Sequence, residues 1–357
     1  VNNTLNIYIS WLYLKFLSNE ELKAILIHEI AHFKNKDLEY TSKIDKMLNT
    51  FDLLFPRFTY RLVCPFILKA SFNNMLNNYL VNEYFENKAD DEVLKKHMEQ
   101  SFVNATIKTF GIERANRLNY SNINYQVMKN NKFTNETILE DFSCRLDYYN
   151  KYKDFFVYVS NHHLPERFGS HPNIHQRKEK CHIENVQIDI VENHYFDNDI
   201  LNYYQLINNR LKDNNDESNI KKYEQYLQLK NRNDTLNIEE LNDLADASFA
   251  YGDYDIAKNI CYKILSTISD QNRINYILGT ILLNVEYNKE GIEYLNKIIN
   301  GENNEFKLDA LQSLGEYYAM IGDEENLNYI RNIQVTIFNQ KDEFDNILTL
   351  KLTDNLT

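Results

Sequence analysis

Cysteine is scarce and scattered in this chain. Its four cysteines stand at positions 64, 144, 181 and 261, and no two of them form a CxxC pair. A disulfide framework and a zinc site built from thiolates both need a closer, patterned spacing, so the cysteines fit neither. Basic tracts are missing as well, and the net charge is −13. Because nucleic-acid binding relies on clustered Lys and Arg, we expect no nucleic-acid partner.

Long apolar runs are also missing. The most apolar stretch, "FDLLFPRFTYRLVCPFILKASF" (51–72), is interrupted by three basic residues and two prolines. A membrane span needs about 20 consecutive apolar residues, so this stretch does not qualify. We predict a buried helical hairpin here, with a position on a membrane surface or over a cleft as the alternative.

Proline, histidine and charge are unevenly distributed, which indicates two regions of different construction. All four prolines and all nine histidines lie at or before position 194, whereas six of the eight glycines follow position 250. Residues 1–190 carry 24 Lys and Arg against 23 Asp and Glu, and residues 191–357 carry 15 against 29. A chain of 357 residues has room for about two domains.

The N-terminal region contains a helix with two histidines four positions apart. The stretch "LNIYIS" (5–10) alternates as a half-buried strand does, and "SNEE" (18–21) predicts a capping box between Ser18 and Glu21. The helical spacing of the apolar residues that follow predicts a core-facing stripe: Leu22, Ile25, Leu26, Ile30 and Phe33. In "LIHEIAHFKNKD" (26–37) the helical period places His28 and His32 on one face with Glu29 beside them. Two imidazoles could then bind one ion while the carboxylate reaches its water, although two partly buried histidines of an ordinary helix are the alternative.

A third ligand decides between these readings, because a catalytic zinc takes three protein ligands and keeps one open position. The stretch "NEYFENKADDEVL" (82–94) predicts a helix with Glu86 and Asp90 one turn apart on one face. The glutamate could complete the site while the aspartate holds a histidine by its other ring nitrogen. Glu83 is the rival ligand, but Asn87 stands where its aspartate partner would be.

Three segments together resemble the HtpX-like and CAAX prenyl protease family of zinc metalloproteases: "LSNEELKAILIHEIAHFKNKD", "EYFENKADDEVL" and "SHPNIHQRKEK" (170–180). The resemblance covers roughly residues 1–190. It implies one Zn²⁺ per chain, held by His28, His32 and Glu86, with Glu29 as general base and acid.

The same resemblance implies roles for three further residues. Asp90 would stand behind the ligands, His171 would lie near the substrate oxygen, and Arg177 occupies the position of the family's arginine after His-Pro. Family members often carry membrane helices. Since Val1 stands almost on the first motif, we expect an upstream segment that is absent here, and membrane association through it.

The C-terminal region contains an internal repeat. The stretches "LADASFAYGDYDIA", "LGTILLNVEYNKEG" and "LGEYYAMIGDEENL" align Ala245 with Gly279 and Gly315. The spacing and the small residues resemble the tetratricopeptide repeat, whose helix pairs bury their apolar faces by stacking.

The expected fold is therefore mainly α: a small α+β zincin-type metalloprotease domain followed by an α-solenoid. We predict the protease domain at 1–190, a helical linker or degenerate repeat at 191–235, and tetratricopeptide-like repeats at 236–357. The expected activity is that of a zinc-dependent metalloendopeptidase acting on protein or peptide substrates, in protein quality control, with a protein partner possible through the repeats. The alternative is a repeat-based binding or chaperone module with a latent or structural metal site, but a structural site would have no use for Glu29.

Overall fold

The structure, a computed structural model, is mainly helical. It describes residues 9–35, 83–115, 118, 125–126, 129, 134–164, 172–194, 197–200, 202, 217–232, 235–268, 271–301 and 305–337. These residues contain no β-strand, so the prediction of a mainly α protein is confirmed. The predicted strand at 5–10 lies almost entirely outside the described residues, and the apolar stretch 51–72 lies wholly outside them. None of the described helices combines the length and apolar character that crossing a bilayer requires.

Contacts divide the chain into two compact units. The first comprises Val1–Gly111 and Phe156–Asp197, and the second comprises Ile112–Phe155 and Asn198–Thr357. Up to residue 180, the helices whose bounds the structure describes are α1 (Trp11–Phe16), α2 (Asn19–Asn35), α3 (83–94), α4 (Glu99–Arg114), α5 (Asn135–His162) and α6 (Ile174–Lys180).

The start of α2 is fixed by the predicted capping box and by an ion pair. The amide of Ser18 donates to Glu21 Oε2 at 2.8 Å, and the amide of Glu21 donates to Ser18 Oγ at 3.3 Å. The other carboxylate oxygen of Glu21 lies 2.8 Å from Nζ of Lys108 on α4, and both side chains are buried. A buried acid needs such a partner, and this pair joins α2 to α4.

The buried face of α2 differs from the predicted apolar stripe. Ala24 and Ala31 are fully buried together with His28, whereas Phe33 is half exposed. The prediction that Phe33 faces the core was therefore wrong. The prediction relied on hydrophobicity, which favours Phe33 in the core. The structure buries His28 instead, because charged side chains contact its imidazole.

The segment 183–194 has no regular secondary structure and returns along the first unit to α1. The amide of Asn193 donates to the carbonyl of Lys15 at 2.8 Å. The ammonium of Lys15 is buried and lies 2.8 Å from Asp197 Oδ1 and 3.3 Å from Glu192 Oε2. These contacts attach Glu192, Asn193 and Asp197, near the end of the first unit, to α1.

Helices of the second unit follow one another as an array. From residue 217 onward they are α7 (Glu217–Asn231), α8 (Ile238–Tyr251), α9 (Tyr254–Thr267), α10 (Asn272–Thr280), α11 (Gly291–Asn300), α12 (Lys307–Ile321) and α13 (324–337). From α8 to α12 each helix packs on the next. One core cluster contains Leu244 and Ala245 of α8, Ile260 of α9, and Ile277 and Leu278 of α10.

Two glycines, Gly279 of α10 and Gly291 of α11, lie where helices approach closely. A Cβ atom on Gly291 would stand 2.6 Å from the carbonyl oxygen of Gly279, so the first residue of α11 contacts α10 through backbone. Gly252 and Gly322 end α8 and α12 in the left-handed conformation. In the middle repeat a π-helical turn, Ile281–Val285, follows α10, and Tyr287 takes the left-handed conformation instead (φ 54°). Gly252 and Gly322 stand seven positions after Ala245 and Gly315, whereas Tyr287 stands eight positions after Gly279. The extra residue of the π-helical turn accounts for this difference.

Candidate metal centre

Two helices of the first unit bring together the three residues predicted as ligands. His28 and His32 come from α2 and Glu86 from α3, and their donor atoms all lie within 4.8 Å of one another. The two Nε2 atoms are 3.1 Å apart, and Glu86 oxygens lie 3.4 Å from His28 Nε2 and 3.3 Å from His32 Nε2. Tetrahedral zinc, with bonds of about 2.0–2.2 Å, places its ligand atoms about 3.3 Å apart. The arrangement can therefore hold one metal ion of that size.

The three side chains differ in their exposure. His28 and Glu86 are buried, whereas the side chain of His32 is 19% exposed. Glu29, the predicted general base, lies next to His28 on α2 and is exposed. Glu83, the rival ligand, lies on α3 one turn before Glu86 and is partly exposed. Of the two carboxylates, Glu86 is the one that contacts both imidazoles.

Asp90, one turn after Glu86 on α3, lies beside the ring of His28. It is buried, and its Oδ1 is 3.0 Å from Nδ1 of His28. Burial by itself would lower the pKa of His28, but the carboxylates of Asp90 and Glu86 outweigh that effect, and the pKa of His28 is raised. A carboxylate at Nδ1 favours the tautomer with its proton there, which leaves the Nε2 lone pair for a metal.

Arg177 reaches the same carboxylates from α6. Its Nη2 donates to Glu86 Oε2 at 2.7 Å, and its Nε lies 3.6 Å from Asp90 Oδ1. The start of α6 is fixed by a capping box between Asn173 and Gln176. The guanidinium of Arg177 thus supplies a positive charge beside two buried carboxylates. His171, the remaining predicted site residue, lies outside the described residues.

Two residues around this cluster were not found from the sequence. Nζ of Lys180 donates to the carbonyl of Asn87 at 2.6 Å and lies 2.9 Å from Asp91 Oδ1, which joins α6 to α3. The sequence could have indicated Lys180, because it follows Arg177 by three positions and residues at that spacing share a helix face. Phe102 on α4 stacks on the ring of His28, and no motif contains it.

Comparison with known proteins agrees with this geometry. The model of peptidase family M48 matches residues 3–182, a span that contains α1 to α6 and every described residue of the cluster. The chain belongs to peptidase family M48. M48 enzymes are metallopeptidases, so the predicted metalloprotease activity is confirmed at that level. No curated protein and no solved structure matched the chain.

Proposed function

We propose that this M48 protein is a zinc-dependent endopeptidase, similar to the HtpX-like and CAAX prenyl proteases. His28, His32 and Glu86 would be its zinc ligands. One observation carries the proposal: two imidazoles and a carboxylate converge within 4.8 Å in a chain that belongs to a metallopeptidase family. Two nitrogens and one oxygen are a donor set that catalytic zinc prefers, with a fourth position left for water or substrate.

The chemistry divides between the ion and the side chains. Zinc in such a site lowers the pKa of a bound water and polarises a carbonyl oxygen. Glu29 would accept the proton of the attacking water on its carboxylate and later deliver a proton to the leaving amine. Its exposure suits this role, because a base must be accessible to substrate and water.

The surrounding residues would act through the ligands or on the substrate. Asp90 would orient the imidazole of His28, and Arg177 would hold Glu86 in its ligating position. His171, by resemblance to the family, would donate to the oxyanion of the tetrahedral intermediate.

The substrates we propose are proteins, in a quality-control role. The alternating residues at 5–10 suit pairing with an extended peptide, which recognises backbone rather than side chains. The helical array of the second unit would be tetratricopeptide-like and bind a protein substrate or partner. By family resemblance the protein would associate with a membrane.

Substitution of Glu29 tests the assignment. Purified wild type and Glu29→Gln are compared for casein digestion and for zinc content. We expect Glu29→Gln to retain zinc and lose proteolysis, because the base is removed and no ligand is. Glu20→Gln is the matched control, since Glu20 is an exposed glutamate of the same helix. Proteolysis at the wild-type rate in Glu29→Gln, or a wild type that neither binds zinc nor cleaves casein, contradicts the proposal.

A further inference from the structure

The ring of Phe102 contacts two side chains of the metal centre. Its centroid lies 5.2 Å from that of the His28 imidazole, and the two planes are inclined by only 28°. The guanidinium carbon of Arg177 lies 5.3 Å from the same centroid. These are the distances of aromatic stacking and of a cation–π contact. The ring of Phe102 therefore contacts His28, a proposed ligand. It also contacts Arg177, which donates a hydrogen bond to a second proposed ligand, Glu86.

Phe102 is itself held firmly. It stands in the first turn of α4 and is 1% exposed. Its amide donates to the carbonyl of Met98 at 2.9 Å, and its own carbonyl accepts from the hydroxyl of Thr106 at 2.6 Å. Close packing restricts a fully buried ring to a single rotamer well. Phe102 therefore presents a fixed flat surface to the metal centre.

The imidazole of His28 needs such a surface. Asp90 contacts its Nδ1, and Glu86 and His32 contact its Nε2, so the ring can still rotate about the line through these two atoms. The edge of His32, with centroids 4.7 Å apart and planes at 83°, meets the imidazole on the side of the donor atoms. A flat neighbour stacked on the ring face removes the remaining rotation and directs Nε2 towards the proposed metal position.

We infer that Phe102 is a positioning residue of the metal centre, which aligns His28 by stacking and Arg177 by a cation–π contact. The inference rests on the proposed function, in which His28 and Glu86 hold zinc. Its consequence is specific: loss of the ring should weaken metal binding by more than loss of an equally buried ring elsewhere in the first unit.

Cobalt binding by the full chain measures this effect without relying on catalysis. Co²⁺ is added to metal-free wild type and Phe102→Leu in competition with a chelator, and its visible absorption reports ligand geometry. Leucine keeps the site apolar but removes the flat face. We expect at least about a tenfold loss of affinity, the usual effect of removing a group that orients a ligand. We also expect a changed absorption band.

Phe156→Leu is the matched control. Phe156 is as buried as Phe102 and packs edge-on against Phe110, with centroids 6.0 Å apart. Among the described residues, the ring contacts of His28 are with His32 and Phe102. Phe156→Leu should therefore lower the free energy of unfolding to a similar extent while leaving Co²⁺ affinity and absorption at the wild-type values. Phe102→Tyr, which keeps the ring, should recover most of the affinity.

The outcomes separate this inference from the proposed function. A wild type that binds no Co²⁺ overturns both. A wild type that binds Co²⁺ while Phe102→Leu binds equally well overturns the positioning role alone, as does an equal loss in Phe156→Leu. Should Phe102→Leu fail to fold, Phe102→Met takes its place. Failure of both to fold makes Phe102 a core residue only and overturns the inference.

Discussion

Nδ1 of His28 lies 3.0 Å from Oδ1 of Asp90, and the two residues come from different helices, α2 and α3. Both side chains are buried, so the contact holds Nδ1 of one imidazole against a charge that is only weakly screened. Because Asp90 follows Glu86 by one turn, a single face of α3 supplies a proposed ligand and the partner of another. A shift of α3 would therefore displace both the proposed ligand Glu86 and Asp90, the partner of His28.

Asp90→Asn is expected to weaken metal binding while leaving the three ligands in place. Asparagine keeps the size of the side chain but lacks the charge that favours a proton on Nδ1 of His28. Loss of such a partner lowers metal affinity by about 10–100-fold. Competition with a chelator, using Zn²⁺, measures the change.

Asp91→Asn is its control, because Asp91 is half exposed and pairs with Lys180. An affinity in Asp90→Asn equal to that of wild type would show that Asp90 fills space and does not orient His28.

Glu86→Ala is expected to empty the metal site, and Glu83→Ala to leave it close to full occupancy. Glu86 contacts both imidazoles, whereas Glu83 stands one turn earlier on α3 and is partly exposed. Metal content of the purified variants, measured by atomic emission, decides between the two carboxylates. The opposite pattern would move the third ligand back by one turn.

Two glycines of the second unit are expected to respond to alanine with opposite signs. At Gly291 the new Cβ would stand 2.6 Å from the oxygen of Gly279 and 2.8 Å from the amide nitrogen of Leu283, and neither backbone atom can move cheaply. We expect Gly291→Ala to lower the free energy of unfolding by about 1–3 kcal/mol. At Gly315 the nearest atom would be 3.7 Å away, on Ile330, which is ordinary contact.

Gly315→Ala is therefore expected to raise the free energy of unfolding by about 0.5–1 kcal/mol, the usual gain in a helix interior. Urea denaturation of both variants supplies the two values. Equal effects of the two substitutions would contradict the close approach of α10 and α11.

The ion pair of Lys15 and Asp197 is expected to stabilise the first unit in a pH-dependent way. Partial burial by itself would raise the pKa of Asp197, but hydrogen bonds from Lys15 and His194 outweigh it, and the pKa is lowered. The stabilisation is therefore present above the unfolded value of about 3.9 and is lost as the pH falls through the lower folded value.

Asp197→Asn should accordingly cost about 0.2–1 kcal/mol at pH 7, the range of partly exposed ion pairs, and almost nothing at the acid end. Urea denaturation at a series of pH values measures the difference from wild type. Asp199→Asn, at an exposed neighbour, is the control and should change the free energy of unfolding at pH 7 by less than Asp197→Asn does. A loss in Asp197→Asn that stayed constant down to the acid end would falsify the ion pair.

Much of the candidate site was open to prediction because its determinants are local. Helical periodicity alone places His28 and His32 on one face, and it places Glu86 and Asp90 on one face of a second helix. The sequence also predicted the capping box at Ser18, since its two hydrogen bonds join residues three positions apart.

The buried face of α2 was harder to predict. Hydrophobicity assigned Phe33 to the core, but the structure buries His28 and Glu21 instead. A charged residue is buried only where a distant partner compensates its lost hydration, and here those partners are Asp90 and Lys108. No rule based on one helix contains that information.

By itself, then, the sequence determined the two helices that carry the paired donors, the spacing of the donors within each of them and the metallopeptidase chemistry that those donors suggest. Only the tertiary structure decided that Phe102 stacks on His28, that Lys180 donates a hydrogen bond to α3, and that Tyr148 of α5 donates to the carbonyl of Val285. The physical reason is the range of the forces. Backbone hydrogen bonds and side-chain spacing within a helix repeat every few residues, so the local sequence determines them. Stacking and burial bring together residues that are far apart in the chain, so they depend on how all the helices pack.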